Sequence, residues 1–198
     1  MLENGQSVRP PAPPAYNSPE FLAQVEEVWD VNQGLTPERL AIAQFWADGA
    51  GTQTPPGHWN EIALQKAAQF QKSEPETAQI LAVLGVAQAD AFIACWDCKY
   101  EYWCCRPITE IRKSYNPAWL SPITTPPFPS YPSGHSTTSG AASTVLSHFY
   151  PEAAREIVAM GMEAMTSRLY GGIHFTFDNF VGMQMGIAIG EITLGSMR

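Results

Sequence analysis

The sequence predicts an all-α fold, a helical bundle packed around one core. Helix-start patterns, each a polar cap residue followed by proline or glycine, recur along the chain. The segments between them carry apolar residues at helical spacing, and no segment shows the clear apolar–polar alternation of a strand. A chain of 198 residues is long enough for one domain with a sizeable core.

Residues 1–17 contain a proline-rich run and are predicted to form an extended arm or linker. Residues 18–198 are predicted to form a single helical domain. A linker so close to the start leads us to expect a further helical half upstream, so that the chain would be the C-terminal half of a larger protein. Such a half would expose an apolar patch, which we expect another copy to cover in a homo-oligomer.

The helices are predicted, in order, over 18–32, 36–48, 59–71, 74–106, 133–149, 151–169 and 175–196. Residues 49–58 are predicted as a loop with a structural histidine, His58; a place at the mouth of a pocket is the alternative. Residues 116–130 form a proline-rich loop that is long enough to be functional. Glycine at every fourth position of the last helix favours close helix packing in the core.

The most informative stretch is Pro132-Ser133-Gly134-His135, which precedes a run of small residues predicted to be helical. Ser133 is expected to cap this helix, with Gly134 and His135 in its first turn. A helix start has unpaired N–H groups that attract anions, and glycine lets an anion approach the backbone. His135 adds a group that can move a proton near neutral pH. An ordinary helix start is the competing interpretation.

A second stretch lies at the end of the predicted 74–106 helix. Lys99 and Arg106 are seven residues apart, which predicts that both project from one helix face, together with Trp96 and Trp103. A solvated face with snorkelling side chains is one interpretation. The neighbouring segment 80–94 is almost wholly apolar, however, which predicts a buried helix, and buried cations need an anionic partner.

A third stretch runs from Arg168 to Asp178. Two glycines at 171 and 172 predict the end of the helix that carries Arg168, and a new helix can begin near Phe175. His174 and Asp178 are one turn apart, so the carboxylate can accept the proton of one imidazole nitrogen. The other nitrogen would then be a nucleophile or a ligand. A capped helix start with a local His–Asp pair is the alternative.

These three stretches together resemble a known signature. Lys99-(six residues)-Arg106-Pro107, Pro132-Ser133-Gly134-His135 and Ser167-Arg168-(five residues)-His174-(three residues)-Asp178 look like the motifs of the vanadium-dependent haloperoxidases and the type 2 phosphatidic acid phosphatase and bacterial acid phosphatase superfamily. The resemblance covers 90–178. Trp96 and Phe128 look more like vanadium chloroperoxidases, because a bromoperoxidase-type enzyme would tend to carry histidine at position 128. The fold implied is the helical bundle of this superfamily.

The resemblance also implies a role for each residue. Lys99, Arg106 and Arg168 would bind the equatorial oxygens of vanadate or phosphate, and Ser133 and the Gly134 N–H would complete the site. His174 would bond the vanadium of vanadate, or attack phosphorus in a phosphatase, and Asp178 would orient it. His135 would be the acid–base group on the opposite side. Trp96 and Phe128 would line the pocket.

Two activities follow from this resemblance. The first is a vanadate-dependent haloperoxidase, in which hydrogen peroxide oxidises a halide at the oxyanion site. The alternative is a soluble acid phosphatase that acts through a phosphohistidine intermediate, with phosphate as the ligand. A non-enzymatic anion-binding bundle with a decayed site is a third interpretation, which the intact placement of every motif residue argues against.

Composition limits the partners. A net charge of −8 without a basic stripe disfavours nucleic acid and favours a small anion at one cationic pocket. No secretory signal or apolar run of about 18 residues is visible, so we expect a soluble, cytoplasmic protein with no membrane partner. All four cysteines lie within 95–105, where reduced thiols are expected; a redox or zinc site at Cys95-Trp96-Asp97-Cys98 is disfavoured because there is no second ligand pair.

Overall fold

The computed structural model describes residues 2–197, and across that range it contains α-helices, two short 3₁₀ turns and no strand. The all-α prediction is therefore confirmed. The helices are α1 Pro19–Gln33, α2 Pro37–Phe45, α3 Thr54–Gln69, α4 Glu74–Tyr102, α5 Pro107–Ser114, α6 Gly134–Phe149, α7 Ala154–Tyr170 and α8 Thr176–Gly195. The 3₁₀ turns are Gly5–Val8 and Pro151–Ala153.

The predicted helix starts form by side-chain capping. Ser18 accepts a hydrogen bond from the Phe21 N–H at 3.2 Å, and Ser133 accepts one from the Ser136 N–H at 3.3 Å. Glu76 reaches back to the Ser73 N–H at 2.8 Å in a capping box. Each bond satisfies a backbone donor that has no partner within its helix, which is why these starts could be identified from sequence.

The predicted helix over 74–106 is wrong at its C-terminal end. Helix α4 stops at Tyr102 because Trp103 adopts a left-handed conformation with φ of 48°. Pro107 also disfavours helical geometry at Arg106, which instead takes an extended conformation as the N-cap of α5. Lys99 and Arg106 therefore lie on different elements, not on one helix face, and Trp103 is 68% exposed instead of sharing a face with Trp96.

Two other boundaries also differ from the predictions. Helix α3 begins at Thr54, five residues earlier than expected, because its two prolines occupy the first turn, where no backbone N–H is needed. His58 is consequently a helical residue and not a loop residue. Helix α2 ends at Phe45, and the following residues 46–48 turn toward the interior, which places Asp48 beside His58.

Helix α6 is the centre of the bundle, and nearly all of its residues from Ser136 to Leu146 are buried. It packs chiefly against α8, with α7 and α4 on its other sides. A Cβ atom at Gly186 would overlap the Thr137 carbonyl oxygen, so the two backbones are in direct contact. The predicted close packing of the α8 glycines is confirmed, and this contact holds the first turn of α6 against the middle of α8.

The proline-rich arm lies against the bundle. Arg9 forms ion pairs with Asp97 at 2.8 Å and with Glu101 at 3.2 Å on α4. Tyr102 donates to the Pro10 carbonyl at 2.7 Å, and Tyr131 donates to the Pro11 carbonyl at 2.6 Å. The arm thus joins α4 to the loop that precedes α6, although it has little regular structure of its own.

Among the described residues, one segment, Glu74–Ser114, has the length and hydropathy needed to cross a membrane. It comprises α4 and α5 with the short connection between them. In its most apolar window, 44% of the residues are buried inside the protein. A core helix of a soluble protein passes the same test, so the expected absence of a membrane partner stays a prediction.

Candidate active site

Lys99 is fully buried and is held by the loop that precedes α6. Its Nζ atom donates to the carbonyl oxygens of Pro129 and Ser130 at 2.8 Å each and of Pro132 at 2.7 Å. These carbonyls satisfy the ammonium hydrogens but carry no net negative charge. Burial lowers the pKa of Lys99 to about 8, with the neighbouring Arg106 guanidinium acting in the same direction.

Arg106 lies at the base of the same pocket. Its Nε donates to the Phe128 carbonyl at 2.9 Å, and its Nη1 donates to the Ile173 carbonyl at 2.8 Å. Its Nη2 is buried and has no hydrogen-bond partner among the residues that the structure describes. Burial lowers the pKa of Arg106 to about 10. An unsatisfied buried donor on a cation is costly, so the pocket is built for an anionic acceptor that completes it.

His174 is oriented by Asp178. Its Nδ1 lies 2.9 Å from Asp178 Oδ2, which fixes the Nδ1–H tautomer, and its Nε2 lies 3.0 Å from Arg106 Nη1. Ser130 donates its hydroxyl to Asp178 Oδ2, and the Phe175 N–H donates to the same oxygen at 3.1 Å. Burial raises the pKa of Asp178 to about 6 and, together with the surrounding cations, lowers the pKa of His174 well below 6.5.

His135 and Arg168 form a second histidine–arginine pair. Arg168 Nη1 lies 3.3 Å from His135 Nε2, and Arg168 Nε donates to the Ser167 hydroxyl at 2.9 Å. The backbone of Ala47 and of Trp46 favours the protonated form of the ring, but more weakly than burial opposes it. Burial and the Arg168 charge lower the pKa of His135 well below 6.5, and burial lowers the pKa of Arg168 to about 9. With no anion bound, His135 is neutral.

The start of α6 supplies neutral donors to the pocket. Ser133 Oγ accepts hydrogen bonds from the N–H and the hydroxyl of Ser136, so its own proton is left to donate. Gly134 is the first helical residue, where the N–H has no partner within the helix. The Ser133 N–H donates to the Asp178 carbonyl at 3.0 Å, which ties this helix start to the histidine that precedes α8.

Two aromatic rings wall the site. The Trp96 and Phe128 ring centroids are 5.3 Å apart, and Trp96 also packs against Gly134. The Phe128 ring lies 5.4 Å from Lys99 Nζ and 5.1 Å from Arg106 Cζ. These rings keep water from the cations and strengthen their attraction for an anion.

The donor set fits an oxyanion and not a bare metal ion. Lys99, Arg106 and Arg168 are all buried, and the charge of each lowers the pKa of His174, so the three cations lie near this ring. Within 2–197 no group of three or more His, Cys, Asp and Glu side chains could hold a metal ion. A tetrahedral anion of charge about −2 would satisfy the open Arg106 donor and offset the surplus positive charge.

Comparison with known proteins places this geometry in a family. The family model of the PAP2 superfamily matches residues 48–197, which include every residue of the pocket. The chain belongs to the PAP2 superfamily. The sequence resemblance implied that the Lys99–Arg106, Ser133–His135 and Arg168–Asp178 motifs meet at one oxyanion. The structure brings Arg106 to His174 and Arg168 to His135, and the binding roles of these residues stay predictions.

Relatives of this PAP2 chain include haloperoxidases and a phosphatase. It is 32% identical to vanadium chloroperoxidase of Curvularia inaequalis over an alignment of 141 residues. That alignment covers 58% of this chain and 23% of the other protein. The chain superposes on the first bacterial vanadium-dependent iodoperoxidase to be solved with a TM-score of 0.91 and 33% identity, over 98% of this chain and 54% of the other. The chain thus matches less than a quarter of the length of the chloroperoxidase and about half of the length of the iodoperoxidase.

A third PAP2 relative extends the fold to membranes. A transmembrane phosphatidylglycerolphosphate phosphatase from Bacillus subtilis superposes with a TM-score of 0.61 at 15% identity, over 91% of this chain and 88% of the other. At that identity the likeness shows the fold alone. Because the same fold also occurs in a transmembrane protein, the fold does not support the predicted absence of a membrane partner.

Sequence reasoning missed two residues that support the PAP2 pocket, Ser130 and Asp48. Ser130 bonds Asp178 and lies 3.3 Å from His174 Nδ1, but a serine in a proline-rich loop gives no indication of this. Asp48 raises the pKa of Arg168 by its charge and lies 3.1 Å from His58 Nδ1. His58 also stacks on Trp46, with ring centroids 4.6 Å apart, so the structural role predicted for it matches these contacts. Only the tertiary fold brings residues 46–58 to the pocket.

Proposed function

We propose that this chain carries the anion site of a vanadate-dependent haloperoxidase. The observation that carries the proposal is the buried Arg106 Nη2, a cationic donor without a partner among the described residues, in a pocket of three buried cations. An oxyanion such as vanadate is an acceptor of suitable charge and shape for that donor. The 33% identity and TM-score of 0.91 to an iodoperoxidase support the choice of chemistry.

Each residue would have a distinct task in this reaction. Arg106, Arg168, the Ser133 hydroxyl and the Gly134 N–H would donate to the oxygens of vanadate, and His174 Nε2 would bond its vanadium. Lys99, whose hydrogens are held by three carbonyls, would attract the anion by its charge. When bound, vanadate supplies the Lewis-acidic centre at which hydrogen peroxide is activated to oxidise a halide. The protein residues hold the developing negative charge and need little rearrangement to do so.

His135 would move protons in the same reaction. It is neutral in the free pocket, so it can accept a proton from incoming peroxide. A bound anion offsets the charge of Arg168 and raises the His135 pKa, which enables the ring to return that proton to a leaving oxygen. His174 cannot share this task, because Asp178 holds its Nδ1–H and its Nε2 would bond the vanadium.

A second candidate function is phosphate-ester hydrolysis. It is favoured by His174 Nε2, whose lone pair faces the cations while Asp178 holds Nδ1–H, the arrangement that a nucleophilic histidine needs. The same pocket would bind a phosphoryl group, His174 would attack phosphorus, and His135 would protonate the leaving oxygen. Vanadate would then be an inhibitor and not a cofactor.

One pair of assays separates the two candidates. The purified chain is freed of bound oxyanion and tested for oxidation of iodide, bromide and chloride by hydrogen peroxide, with and without added vanadate. It is also tested for hydrolysis of p-nitrophenyl phosphate. Halide oxidation that requires vanadate supports the haloperoxidase; phosphate release that vanadate inhibits supports the phosphatase. Where Arg106 is substituted, Arg155→Lys, at an exposed position on α7, is the matched control.

We also propose a cellular location and an assembly for the chain. A cytoplasmic location is consistent with the four free cysteines. Exposed apolar side chains on α8, namely Phe180, Ile187 and Ile192, are consistent with a covering partner chain. Light scattering of the purified chain tests the homo-oligomer: a monodisperse monomer would contradict it.

A further inference from the structure

Two adjacent cysteines lie between the anion site and the protein surface. Cys104 and Cys105 occupy the connection from α4 to α5 and are both free and partly exposed. They line an open groove of about 700 Å³, together with Arg106, Phe128 and the exposed ring of Trp103. A small solute in the groove can therefore reach both thiols, and the proposed reaction does not use either of them.

The chain has an internal comparison for these thiols. Cys95 and Cys98 are fully buried, and burial raises the pKa of both, that of Cys98 to about 12. The Cys104 thiol donates to the Cys105 carbonyl at 3.7 Å, and the Cys105 thiol donates to Glu110 Oε1 at 3.9 Å. The interaction between the two thiols lowers the pKa of Cys105 and raises the pKa of Cys104. Because the thiolate is the form that reacts with oxidants, the partly exposed Cys105 is the thiol that reacts first, with Cys104 beside it.

We propose that Cys104 and Cys105 are a redox modification site, at which hydrogen peroxide forms a vicinal disulfide that weakens anion binding. Peroxide is the oxidant of the proposed function, but the thiol chemistry does not depend on that function. The site is assigned from the adjacency of the two thiols, their place in the groove and their direct links to the anion site.

The chemistry balances with one peroxide. The Cys105 sulfur attacks peroxide, so that an S–O bond forms, the O–O bond breaks and Cys105 becomes a sulfenic acid. The hydroxide that leaves takes up the Cys105 thiol proton and becomes water. The Cys104 sulfur then attacks the Cys105 sulfur; the S–S bond forms, the S–O bond breaks and water leaves with the Cys104 proton. Two thiols lose two electrons in total, and one peroxide becomes two waters.

The bond would be easy to reverse. Adjacent Cα atoms are about 3.8 Å apart, which is less than the usual span of about 4.4–6.8 Å between disulfide-linked residues. A disulfide between neighbours must therefore distort the connecting peptide. Such bonds have more oxidising potentials than structural disulfides, so a mild thiol reductant restores the pair.

The pair is linked to the anion site on both sides. The Cys104 carbonyl accepts the Ser130 N–H at 2.9 Å, and Ser130 in turn donates to Asp178. Arg106 follows Cys105 directly, and its guanidinium bonds Phe128, Ile173 and His174. Rotation of the Cys104–Cys105 peptide would displace Ser130 or Arg106, which disturbs both the orientation of His174 and the donor that meets the anion.

Peptide mapping tests the modification. The chain is treated with hydrogen peroxide, alkylated and cleaved after lysine and arginine. Cleavage at Lys99 separates residues 100–112, which hold only Cys104 and Cys105, from residues 73–99, which hold the buried pair. We expect 100–112 to lose two hydrogens and to resist alkylation until dithiothreitol is added, while 73–99 stays fully alkylated.

Calorimetry with inorganic phosphate tests the consequence. We expect phosphate affinity to fall about tenfold or more after oxidation, the worth of one charge-assisted hydrogen bond, and to recover with dithiothreitol. Cys104→Ser and Cys105→Ser each keep the side-chain size but cannot form the disulfide, so peroxide should leave their phosphate affinity unchanged. Neither readout requires turnover, so failure of this proposal is distinguishable from failure of the proposed function.

Several results would overturn the proposal. They are unmodified thiols in 100–112, oxygen added to one sulfur without a disulfide, a bridge to another chain, or a disulfide with unchanged phosphate affinity. An equal loss of affinity in Cys104→Ser after peroxide would also overturn it, because the effect would then arise elsewhere.

Discussion

Arg106 Nη1 lies 3.0 Å from His174 Nε2, so the guanidinium donates to the nitrogen that faces the anion pocket. The two residues are 68 positions apart in sequence. Arg106 is fixed by hydrogen bonds to the Phe128 and Ile173 carbonyls, and His174 is fixed by its hydrogen bond to Asp178. An incoming anion must therefore meet both groups together. This coupling makes the planar fork of Arg106 essential, and not only its charge.

Replacing Arg106 by lysine tests this coupling. A lysine keeps the charge but cannot bond Phe128, Ile173, His174 and an anion from one planar group. Loss of a charge-assisted hydrogen bond costs about 1.5–3 kcal/mol, so Arg106→Lys should weaken phosphate or vanadate binding by about 10–100-fold. Calorimetry measures the change, with Arg155→Lys as the control. Wild-type affinity in Arg106→Lys would show that the fork is not needed.

The two histidines should separate binding from turnover. His174→Ala removes the nitrogen proposed to bond vanadium, so it should weaken vanadate binding sharply and abolish turnover. His135→Ala leaves Lys99, Arg106 and Arg168 in place, so most of the affinity should remain. Turnover should slow by about 10²–10⁴-fold, the usual worth of a positioned acid–base group. Calorimetry and activity are measured on both variants; an equal loss of affinity would show that their roles are wrongly assigned.

Local chemistry explains what could be predicted from the sequence. Ser18 and Ser133 cap their helices through bonds within three residues, so their positions follow from nearest neighbours alone. The His174–Asp178 pair is likewise one helical turn apart. The motif residues converge because the apolar α4 and the small residues of α6 and α8 pack together, and both patterns are visible in the sequence.

What could not be predicted depends on contacts between distant segments. The end of α4 follows from Trp103, whose left-handed conformation is uncommon outside glycine and asparagine and has no local pattern. Asp48 approaches Arg168 only because the segment after α2 turns inward. Ser130 reaches Asp178 across 48 residues. Each involves a long-range contact or an unusual backbone angle, which propensity and periodicity do not report.

The contact between α6 and α8 predicts a large effect at Gly186. An alanine Cβ would overlap the Thr137 carbonyl oxygen and lie 2.9 Å from the Ala141 nitrogen, and backbone atoms cannot move aside cheaply. Gly186→Ala should destabilise the fold by about 1–3 kcal/mol or more, the cost of overpacking.

Gly85 is the matched control for this substitution. It lies exposed within α4, and an alanine Cβ at this position would have no neighbouring atom within 4 Å among the described residues. Gly85→Ala should stabilise the protein by about 0.5–1 kcal/mol, because alanine is the better helix former. Thermal unfolding measures both variants, and equal melting temperatures would contradict the contact.

Lys99 should limit anion binding at alkaline pH. Burial lowers its pKa to about 8, so the ammonium is lost as the pH rises through that value. Sulfate affinity should then fall with increasing pH; sulfate is chosen because its own charge is constant in this range. Lys99→Gln should bind sulfate more weakly and should lose this decline, because glutamine does not titrate and the arginines stay charged. A sulfate affinity that stays flat from one pH unit below the Lys99 pKa of about 8 to one unit above it would contradict this assignment.

Asp178 should set the acidic limit of turnover. Burial raises its pKa to about 6 from an ordinary value of 3.8. The folded protein therefore binds more protons than the unfolded chain between these two values, so ionisation of Asp178 reduces stability as the pH rises through that window. Turnover has the opposite requirement, because only the carboxylate accepts the His174 Nδ1–H and holds Nε2 free. We expect kcat/KM to fall as the pH drops below about 6.

Two variants test this assignment. Asp178→Asn keeps an acceptor oxygen but does not titrate, so its lower activity should lose the acidic limb of the pH profile. Asp97→Asn, on the outer side of α4 with Arg9, is the control and should keep that limb. A limb that survives in Asp178→Asn would assign it to another group.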